Sequence, residues 1–209
     1  MNPAQWELYH RYSDAVINDT TLQTNKLGMP LNCFVVIDCN NKTCLVACAL
    51  SRGEMEEHYR WNLTQLLIAS RGVEPGVIFV DEDHAMDAAL AFIFENTCIL
   101  NCTWHFQKNV FARLSGTLGV RYGDFQLFLH QLLHALTPSA FDILWEELLS
   151  QFGGNGDGVV IGDRFGMEHE NPLYKGTVGS YLKRMHSQRQ HWGGPWVHAP
   201  FTAGTRSTQ

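Results

Sequence analysis

The sequence predicts an α/β protein, in which a mixed sheet with the chain order β-β-β-α-β-α-β is followed by a helical region. Three observations indicate this fold class. In the first half of the chain, short apolar runs rich in β-branched residues alternate with segments of helical periodicity. From residue 106 onward the periodic segments are helical. Hydrophobic residues make up 45% of the 209 residues and charged residues 17%, which is typical of a packed globular protein.

The first three strands are predicted to form a meander. Residues 14–21 run from β-branched into polar side chains, which is typical of a short strand. Two mostly apolar runs, 32–39 and 43–50, flank Asn40-Asn41-Lys42, and Asn tolerates the left-handed backbone of a turn. These two runs are therefore expected to pair as an antiparallel hairpin.

The later strands are predicted to join the sheet through helices. A helical stripe runs from about Glu54 to Ala69 and ends before Gly72. An apolar strand, 77–80, then stops at an acidic run that begins with Asp81. A second helix is expected over 85–94 and a fifth strand over 98–104.

The second half is predicted to be helical. The expected division places a core domain at 1–114 and, at 115–209, a helical insertion, a Gly-rich loop and a final segment. The Gly-rich stretch 153–180 matches no phosphate-binding loop and is interpreted as a flexible insertion. The helical segments are 106–114, 125–136, 140–152 and 181–192, with an aromatic segment at 196–201.

The composition of the chain is unlike that of a membrane-spanning or secreted protein. No apolar run approaches the ~18 residues of a membrane span, and the N-terminus lacks the pattern of a secretory signal. We therefore expect no membrane partner and reduced thiols at all six cysteines, with Cys44 and Cys48 packed on one strand face.

Residues 1–105 carry 13 acidic and 6 basic residues, whereas 106–209 carry 8 and 9. This asymmetry suits a cation site beside a polyanion, and it also fits a plain acidic surface with a basic tail.

Two strand-end carboxylates are the main candidates for chemistry. Asp19 ends the first strand and Asp81 follows the fourth. If the strands are ordered as in an RNase H-like fold, the two side chains meet at one edge of the sheet. Paired carboxylates repel unless they share a proton or bind a cation, and carboxylate oxygens suit Mg²⁺ or Mn²⁺. The alternative is that both are ordinary strand-end or helix-capping residues.

A C-x-x-H motif, Cys102 to His105, lies at the end of the predicted fifth strand. A zinc site would need two further ligands, and Cys98, the nearest cysteine, lies upstream on the same strand face as Cys102. The pair is therefore interpreted as a packed thiol with a hydrogen-bonded His, or as a pair that shapes the edge of the site.

Basic and aromatic residues in the second half are candidates for nucleic-acid contacts. The basic side chains could bind phosphates and the aromatic ones could stack on bases, or they could be solvated surface and packed core respectively. The basic residues are Lys108, Arg113, Lys183, Arg184, Arg189 and Arg206, and the aromatic ones are Trp192, Trp196 and Phe201.

Four segments together resemble the transposases of Mutator-like elements (MULEs). Residues 19–31 resemble the family's D-x-T-x-x-T-N-x-x-x-M-P-L block, 77–86 its V-I-x-T-D-x-D-x-A-M block, and 102–109 its C-x-W-H-x-x-K-N block. The helix with Glu56, Glu57 and Trp61 fits the E-x-x-x-x-[YF]-x-W-x-L region through residues 59–63. Each block alone is weak evidence for the family, but the four blocks occur in the same order as in the family and together indicate it.

The resemblance implies an RNase H-like core that nicks DNA and then transfers the strand by DDE chemistry, using Mg²⁺ or Mn²⁺. Asp19 corresponds to the first catalytic acid and Asp81 to the second, and both would be metal ligands. Cys102 and His105 correspond to a structural or DNA-end-positioning pair. The resemblance also implies DNA as partner and a nuclear location, and it is compatible with a homo-oligomer.

The third acid of the family is a Glu in a segment that reads [ST]-T-x-R-x-E-[SG]-x-N. Residues 196–209 resemble the run that leads into it, and no Asp or Glu follows Glu170. We therefore expect a C-terminally truncated catalytic domain that is inactive as this fragment. The family's N-terminal zinc finger is also absent from the sequence. The nearest glutamates do not fit the motif: Glu146, Glu147, Glu168 and Glu170.

An alternative function is a domesticated, non-catalytic transcriptional regulator, like the far-red-response transcription factors that descend from these transposases. The intact Asp19 and Asp81 favour the enzyme over the regulator. A different RNase H-like nuclease is disfavoured by the C-x-W-H and T-N-x-x-x-M-P-L blocks. The genomic sequence after codon 209 would separate a mobile element from a domesticated gene.

Overall fold

The computed structural model describes residues 1–21, 25–153 and 177–202, and it divides into two compact units, Met1–Cys102 and Thr103–Gln209. Each unit has its own hydrophobic cluster, and no residue belongs to both. The boundary falls before the helix Thr103–Leu118, whereas the division after residue 114 drawn from the sequence runs through that helix. Among the described helices, none combines the length and apolarity needed to cross a membrane.

The described residues of the first unit, 1–21 and 25–102, contain five strands and three helices. In chain order they are α1 (Pro3–Tyr12), β1 (Ala15–Thr21), β2 (Leu31–Ile37), β3 (Thr43–Leu50), α2 (Glu56–Ala69), β4 (Val77–Val80), α3 (His84–Ile93) and β5 (Cys98–Asn101). The sheet order is β3-β2-β1-β4-β5. β1 pairs antiparallel with β2 and parallel with β4, which in turn pairs parallel with β5. This mixed sheet confirms the predicted RNase H-like fold class.

The predicted hairpin is present. Asn41 has φ +58°, and the Asp38 carboxylate accepts the N–H groups of Asn40 at 2.8 Å and Lys42 at 2.9 Å. These hydrogen bonds lower the pKa of Asp38 below its ordinary value. The turn therefore has both the left-handed residue and the carboxylate that hold β2 and β3 in register.

One expectation for β3 is wrong, because a β-bulge interrupts the strand. Val46 has no register partner on β2, so the faces alternate differently before and after it. Cys44 packs against the core, whereas Cys48 is exposed. The two thiols therefore do not share a strand face as the uninterrupted alternation predicted.

Helices pack against one face of the sheet. α2 buries Tyr59, Leu63 and Leu66, and its stripe ends where Gly72, at φ +84°, turns the chain back. α3 begins at His84 and buries Met86 and neighbouring small and apolar residues. Together with β-strand residues these side chains form the core of the first unit.

The helix α1 and the end of β5 differ from the sequence prediction. α1 was absent from the predicted elements, although Asn2 and Gln5 form a capping box around Pro3. β5 ends at Asn101, not at Trp104, because Asn101 pairs with Val80, the last residue of β4, and no further partner continues the ladder.

The second unit is helical in its described part. Its helices are α4 (Thr103–Leu118), α5 (Tyr122–Leu133), α6 (Pro138–Phe152), α7 (Val178–Ser187) and α8 (Gly194–Thr202). Trp192 stacks on Phe106 at 4.7 Å and is 2% exposed, and Trp196 packs against the same cluster. These two tryptophans are core residues, not base-stacking surfaces. Most of the Gly-rich stretch 153–180 and the side chains of Phe201 and Arg206 lie outside the described residues.

Candidate functional site

The two predicted acids meet at one edge of the sheet. β1 and β4 are parallel neighbours, and Ile17 is the register partner of Phe79. Continuing that register by two residues brings Asp19 level with Asp81. Parallel strands present their carboxyl ends at the same edge, so the topology itself places these side chains together.

A pocket of about 110 Å³ opens at this edge, and Asp19 and Asp81 both line it. Its wall comes from the end of β1, the segment before α2, the first turns of α2 and the turn between β4 and α3. The remaining lining residues are Asn18, Thr20, Glu54, Tyr59, Glu82, Asp83 and Met86.

Buried amides stabilise the end of β1. Asn18 is 3% exposed, and its side-chain amide donates to the Asn32 side-chain oxygen at 2.5 Å and to the Cys33 carbonyl at 3.1 Å. The Asn32 amide in turn donates to the Thr20 hydroxyl at 3.0 Å. Hydrogen-bonded buried amides fix the strand on either side of Asp19, so the carboxylate has a rigid support.

Tyr59 links this strand end to a third carboxylate. Its hydroxyl is hydrogen-bonded to Thr20 and Glu54, and its pKa is raised, chiefly by burial and then by Asp83 and Glu54. The pKa of Glu54 is also raised, first by burial, then by Asp83, with a smaller contribution from Asp81. Glu54 therefore experiences the negative charge at the strand ends.

Asp81 and Asp83 serve different local purposes. The Asp83 carboxylate accepts the Met86 N–H at 2.8 Å and is the N-cap of α3. The Asp81 carboxylate accepts a hydrogen bond from the N–H of Glu82 at 2.7 Å, and Asp81 is exposed directly after the end of β4. Asp83 is therefore the residue that caps α3, and Asp81 is the residue that directly follows β4.

The donor set fits a cation that takes part of its coordination from water and substrate. Within residues 1–21, 25–153 and 177–202, no group of three or more His, Cys, Asp or Glu side chains is arranged to hold a metal ion. Mg²⁺ commonly binds through one or two carboxylates and completes its octahedron with waters and phosphate oxygens. Two carboxylates at an open pocket are compatible with that mode and incompatible with a closed protein cage.

The C-x-x-H pair is split by the change in secondary structure. Cys102 follows β5, and its N–H donates to the Val80 carbonyl at 2.7 Å. His105 lies in the first turn of α4, with its ring 4.7 Å from that of Trp104. Placing the whole motif on the fifth strand was wrong. Cys102 belongs to the first unit and His105 to the second.

Glu54 and Tyr59 are not among the site residues that the sequence predicts. In the E-x-x-x-x-[YF]-x-W-x-L region, the glutamates named in the prediction are Glu56 and Glu57. Counting five residues back from Tyr59 reaches Glu54, which the structure places in the pocket. The motif spacing was therefore the signal that could have identified it.

The helix α4 carries an exposed aromatic and cationic stripe. Trp104 is 63% exposed, and the Lys108 ammonium lies 5.0 Å from the centre of its ring. Elsewhere in this unit, Arg113 and Arg184 lie 5.5 and 5.8 Å from the Tyr181 ring. These cations contact aromatic rings, which holds their side chains at defined places.

Part of the chain is similar to known proteins. Residues 15–109 match the model of the MULE transposase domain. Two relatives from Arabidopsis thaliana are Protein FAR1-RELATED SEQUENCE 11, 24% identical over 200 residues, and Protein FAR-RED IMPAIRED RESPONSE 1, 25% identical over 202 residues. Both alignments cover 96% of this chain but only 26% and 22% of the relatives, so the chain spans about a quarter of their length.

Among solved structures, the chain is similar to the HTLV-2 integrase catalytic core domain in complex with magnesium. The TM-score is 0.31 at 12% sequence identity, and the match covers 76% of this chain and 97% of that one.

Proposed function

Because residues 15–109 match the model of the MULE transposase domain, we propose that this chain is the core of a DDE-type transposase that nicks and transfers DNA strands in its complete form. In this proposal Asp19 and Asp81 bind Mg²⁺ or Mn²⁺. The observation that supports it most directly is the pocket that both carboxylates share at the ends of β1 and β4.

The residues of this chain would hold and orient the reacting groups. Asp19 and Asp81 bind the cation from the protein side, and the buried amides of Asn18 and Asn32 keep the strand end rigid. When bound, the cation supplies Lewis-acid activation of the attacking oxygen and charge stabilisation of the leaving one. Waters and phosphate oxygens of a DNA strand would supply the remaining ligands of such a cation.

The charge pattern of α4 supports DNA as the partner. Residues 103–123 contain Lys108, Arg113 and Arg121 and no Asp or Glu. The exposed Trp104 ring offers a face on which a base can stack, while the adjacent Lys108 ammonium can meet a phosphate. Because both candidate functions of the chain act on DNA, we also propose a nuclear location.

Calorimetric titration with Mn²⁺ tests the metal site. The wild-type chain should bind Mn²⁺, and Asp19→Ala or Asp81→Asn should weaken binding by about tenfold or more, equivalent to about 1.4 kcal/mol. Asp14→Asn, an exposed acid at the opposite end of β1, is the matched control and should bind as wild type does. Equal Mn²⁺ binding by wild type and Asp19→Ala contradicts the proposal.

A second candidate function is a non-catalytic, DNA-associated transcriptional regulator derived from such a transposase. The observation that favours it is the alignment of both Arabidopsis relatives with nearly the whole chain. The two functions differ in catalysis by the full-length protein. Metal-dependent nicking of DNA that Asp81→Asn abolishes supports the transposase, whereas DNA binding without nicking at any Mn²⁺ concentration supports the regulator.

A further inference from the structure

Two cysteines face each other across neighbouring strands. In the antiparallel pairing of β2 with β3, Cys33 is the register partner of Cys48, and both are free thiols. Directly opposed residues in such a pair have Cα atoms about 4.5–5.5 Å apart and side chains on the same face. Disulfides span Cα separations of about 4.4–6.8 Å, so the backbone already holds the two thiols within bonding reach.

The β-bulge creates this juxtaposition. Val46 is the extra residue, without a partner on β2. An uninterrupted ladder continued from the turn would place Ala47 opposite Cys33. The bulge advances the strand by one residue and brings Cys48 into that position, while Cys44 stays on the core-facing side.

The two thiols differ in accessibility. Cys48 is exposed and Cys33 is half-buried. An oxidant from solvent therefore meets Cys48 first, with Cys33 beside it as the resolving thiol. Reactive and resolving cysteines in adjacent positions are the arrangement in which an oxidised sulfur is captured as a disulfide.

We propose that Cys33 and Cys48 are an oxidative modification site that forms a reversible intramolecular disulfide with a peroxide as oxidant. Each thiol first loses its proton to form a thiolate. The Cys48 thiolate attacks the peroxide, so that an S–O bond forms, the O–O bond breaks, and the leaving hydroxide takes up one of these protons to become water. The Cys33 thiolate then attacks the Cys48 sulfenic acid, so that the S–S bond forms, the S–O bond breaks, and the second leaving hydroxide takes up the other proton. Two thiols thus lose two electrons and two protons, and one hydrogen peroxide becomes two waters.

The site adjoins the pocket at the end of β1. Cys33 is also the register partner of Asp19 on its other side, so Asp19, Cys33 and Cys48 form one row across the sheet. The disulfide itself does not depend on the proposed metal site, and its formation can be measured without any metal present.

Peptide mapping of the peroxide-treated chain tests the proposal. Trypsin cleavage after Lys26, Lys42 and Arg52 releases Cys33 in peptide 27–42 and Cys48 in peptide 43–52. After alkylation and digestion without reductant, mass spectrometry should find these two peptides joined, and dithiothreitol should separate them. Cys33→Ser and Cys48→Ser should each abolish the joined species.

Each peptide carries a second cysteine, which supplies the control. A chain with both Cys39→Ser and Cys44→Ser should still give the joined peptides, because it retains the opposed pair. Loss of the joined species in this control, its persistence in Cys48→Ser, or its absence from the wild type overturns the proposal. Thermal unfolding of each variant confirms that the comparison is made on folded protein.

Discussion

Carboxylates crowd the candidate site, and each charge opposes the others unless a cation or a proton offsets it. Asp19, Glu54, Asp81 and Asp83 all line one small pocket. Burial is the main cause of the raised pKa of Glu54, and the charges of Asp83 and Asp81 raise that pKa further, which is the local sign of this repulsion. A divalent cation would convert the same charges into a stabilising set.

Glu54→Gln should raise the melting temperature of the metal-free protein at neutral pH. Glutamine keeps an oxygen acceptor for Tyr59 and removes one charge from the pocket. Because the raised pKa means that the folded protein binds this proton more tightly than the unfolded chain, the wild type gains stability as the pH falls through that pKa. The advantage of the variant should therefore shrink toward acid pH.

Thermal unfolding without metal, at about pH 7.5 and about pH 4.5, measures this difference. Glu57→Gln, an exposed glutamate on the same segment, is the control and should change little. A melting temperature for Glu54→Gln at or below that of the wild type at neutral pH would show that the pocket charges do not repel.

His186 should make the second unit acid-sensitive. Its ring stacks on Trp145 at 5.0 Å, and its pKa is lowered by burial and by Arg189, against an opposing effect of Asp142 and Glu146. With the folded pKa below the unfolded value, the unfolded chain binds the proton first. Stability is therefore full above about pH 6.5 and is lost as the pH falls through the folded pKa.

Urea unfolding between about pH 7.5 and about pH 5 checks this dependence. His186→Gln should lose less stability over that range than the wild type does, whereas His134→Gln, at an exposed position, should follow the wild type. Parallel profiles for His186→Gln and the wild type would contradict the assignment of the acid sensitivity to this ring.

At the scale of elements, α3 depends on one capping side chain. Asp83 accepts the Met86 N–H at 2.8 Å, and loss of an N-cap acceptor costs about 1 kcal/mol. The free energy of unfolding of Asp83→Ala should therefore be about 1 kcal/mol lower than that of Asp83→Asn, because Asn can also cap the helix. Both variants remove the charge, so their difference in urea unfolding isolates the cap. Equal stabilities would mean that the cap contributes nothing.

The order of strands and helices in the first unit could be predicted because its signals are local. The Asn40–Lys42 turn, the stripe of α2 and the acidic end of β4 are each visible in a few consecutive residues. The β-bulge at Val46 could not be predicted in this way, because it depends on which residues of β2 and β3 become partners. That pairing depends on both strands of the hairpin together, and the residues of β3 alone do not determine it.

The differences between the predicted and observed elements at β5 and α1 have similar causes. β5 stops at Asn101 because β4 has no residue left to pair with, a fact that the sequence of β5 alone does not contain. α1 carried a local signal, the Asn2–Gln5 capping box, but its apolar periodicity is weak beside its polar and aromatic residues. Its burial of Tyr9, which donates to the Val73 carbonyl at 3.1 Å, comes from tertiary packing.

For the whole molecule, the candidate site was predictable in part. Topology alone brings Asp19 and Asp81 together once β1 and β4 are neighbours, and both residues were predicted. Glu54 and Tyr59 come from the segment between β3 and β4, and only the packing of α2 on the sheet carries them to the pocket. The exposure of Trp104 on α4 is likewise a tertiary property, because its neighbour Phe106 is buried in the core of the second unit.

The two units also explain the uneven charge along the chain. Five acids of the first unit line the pocket at the ends of β1 and β4, whereas the charged residues of 103–123 in the second unit are all basic. The cation site and the DNA contacts proposed for the chain therefore lie in segments of opposite charge. The catalytic and DNA-binding functions proposed for the chain therefore have separate residues, which can be changed one at a time.

The most direct test of the central claim is where Mn²⁺ binds, measured by paramagnetic broadening of backbone amide signals in the NMR spectrum of the chain. At substoichiometric Mn²⁺, the amides around Asp19 and Asp81 should broaden first, while those of α6 keep their intensity. The broadening should disappear in a chain with both Asp19→Asn and Asp81→Asn. Broadening centred elsewhere, or unchanged in that variant, would contradict the account.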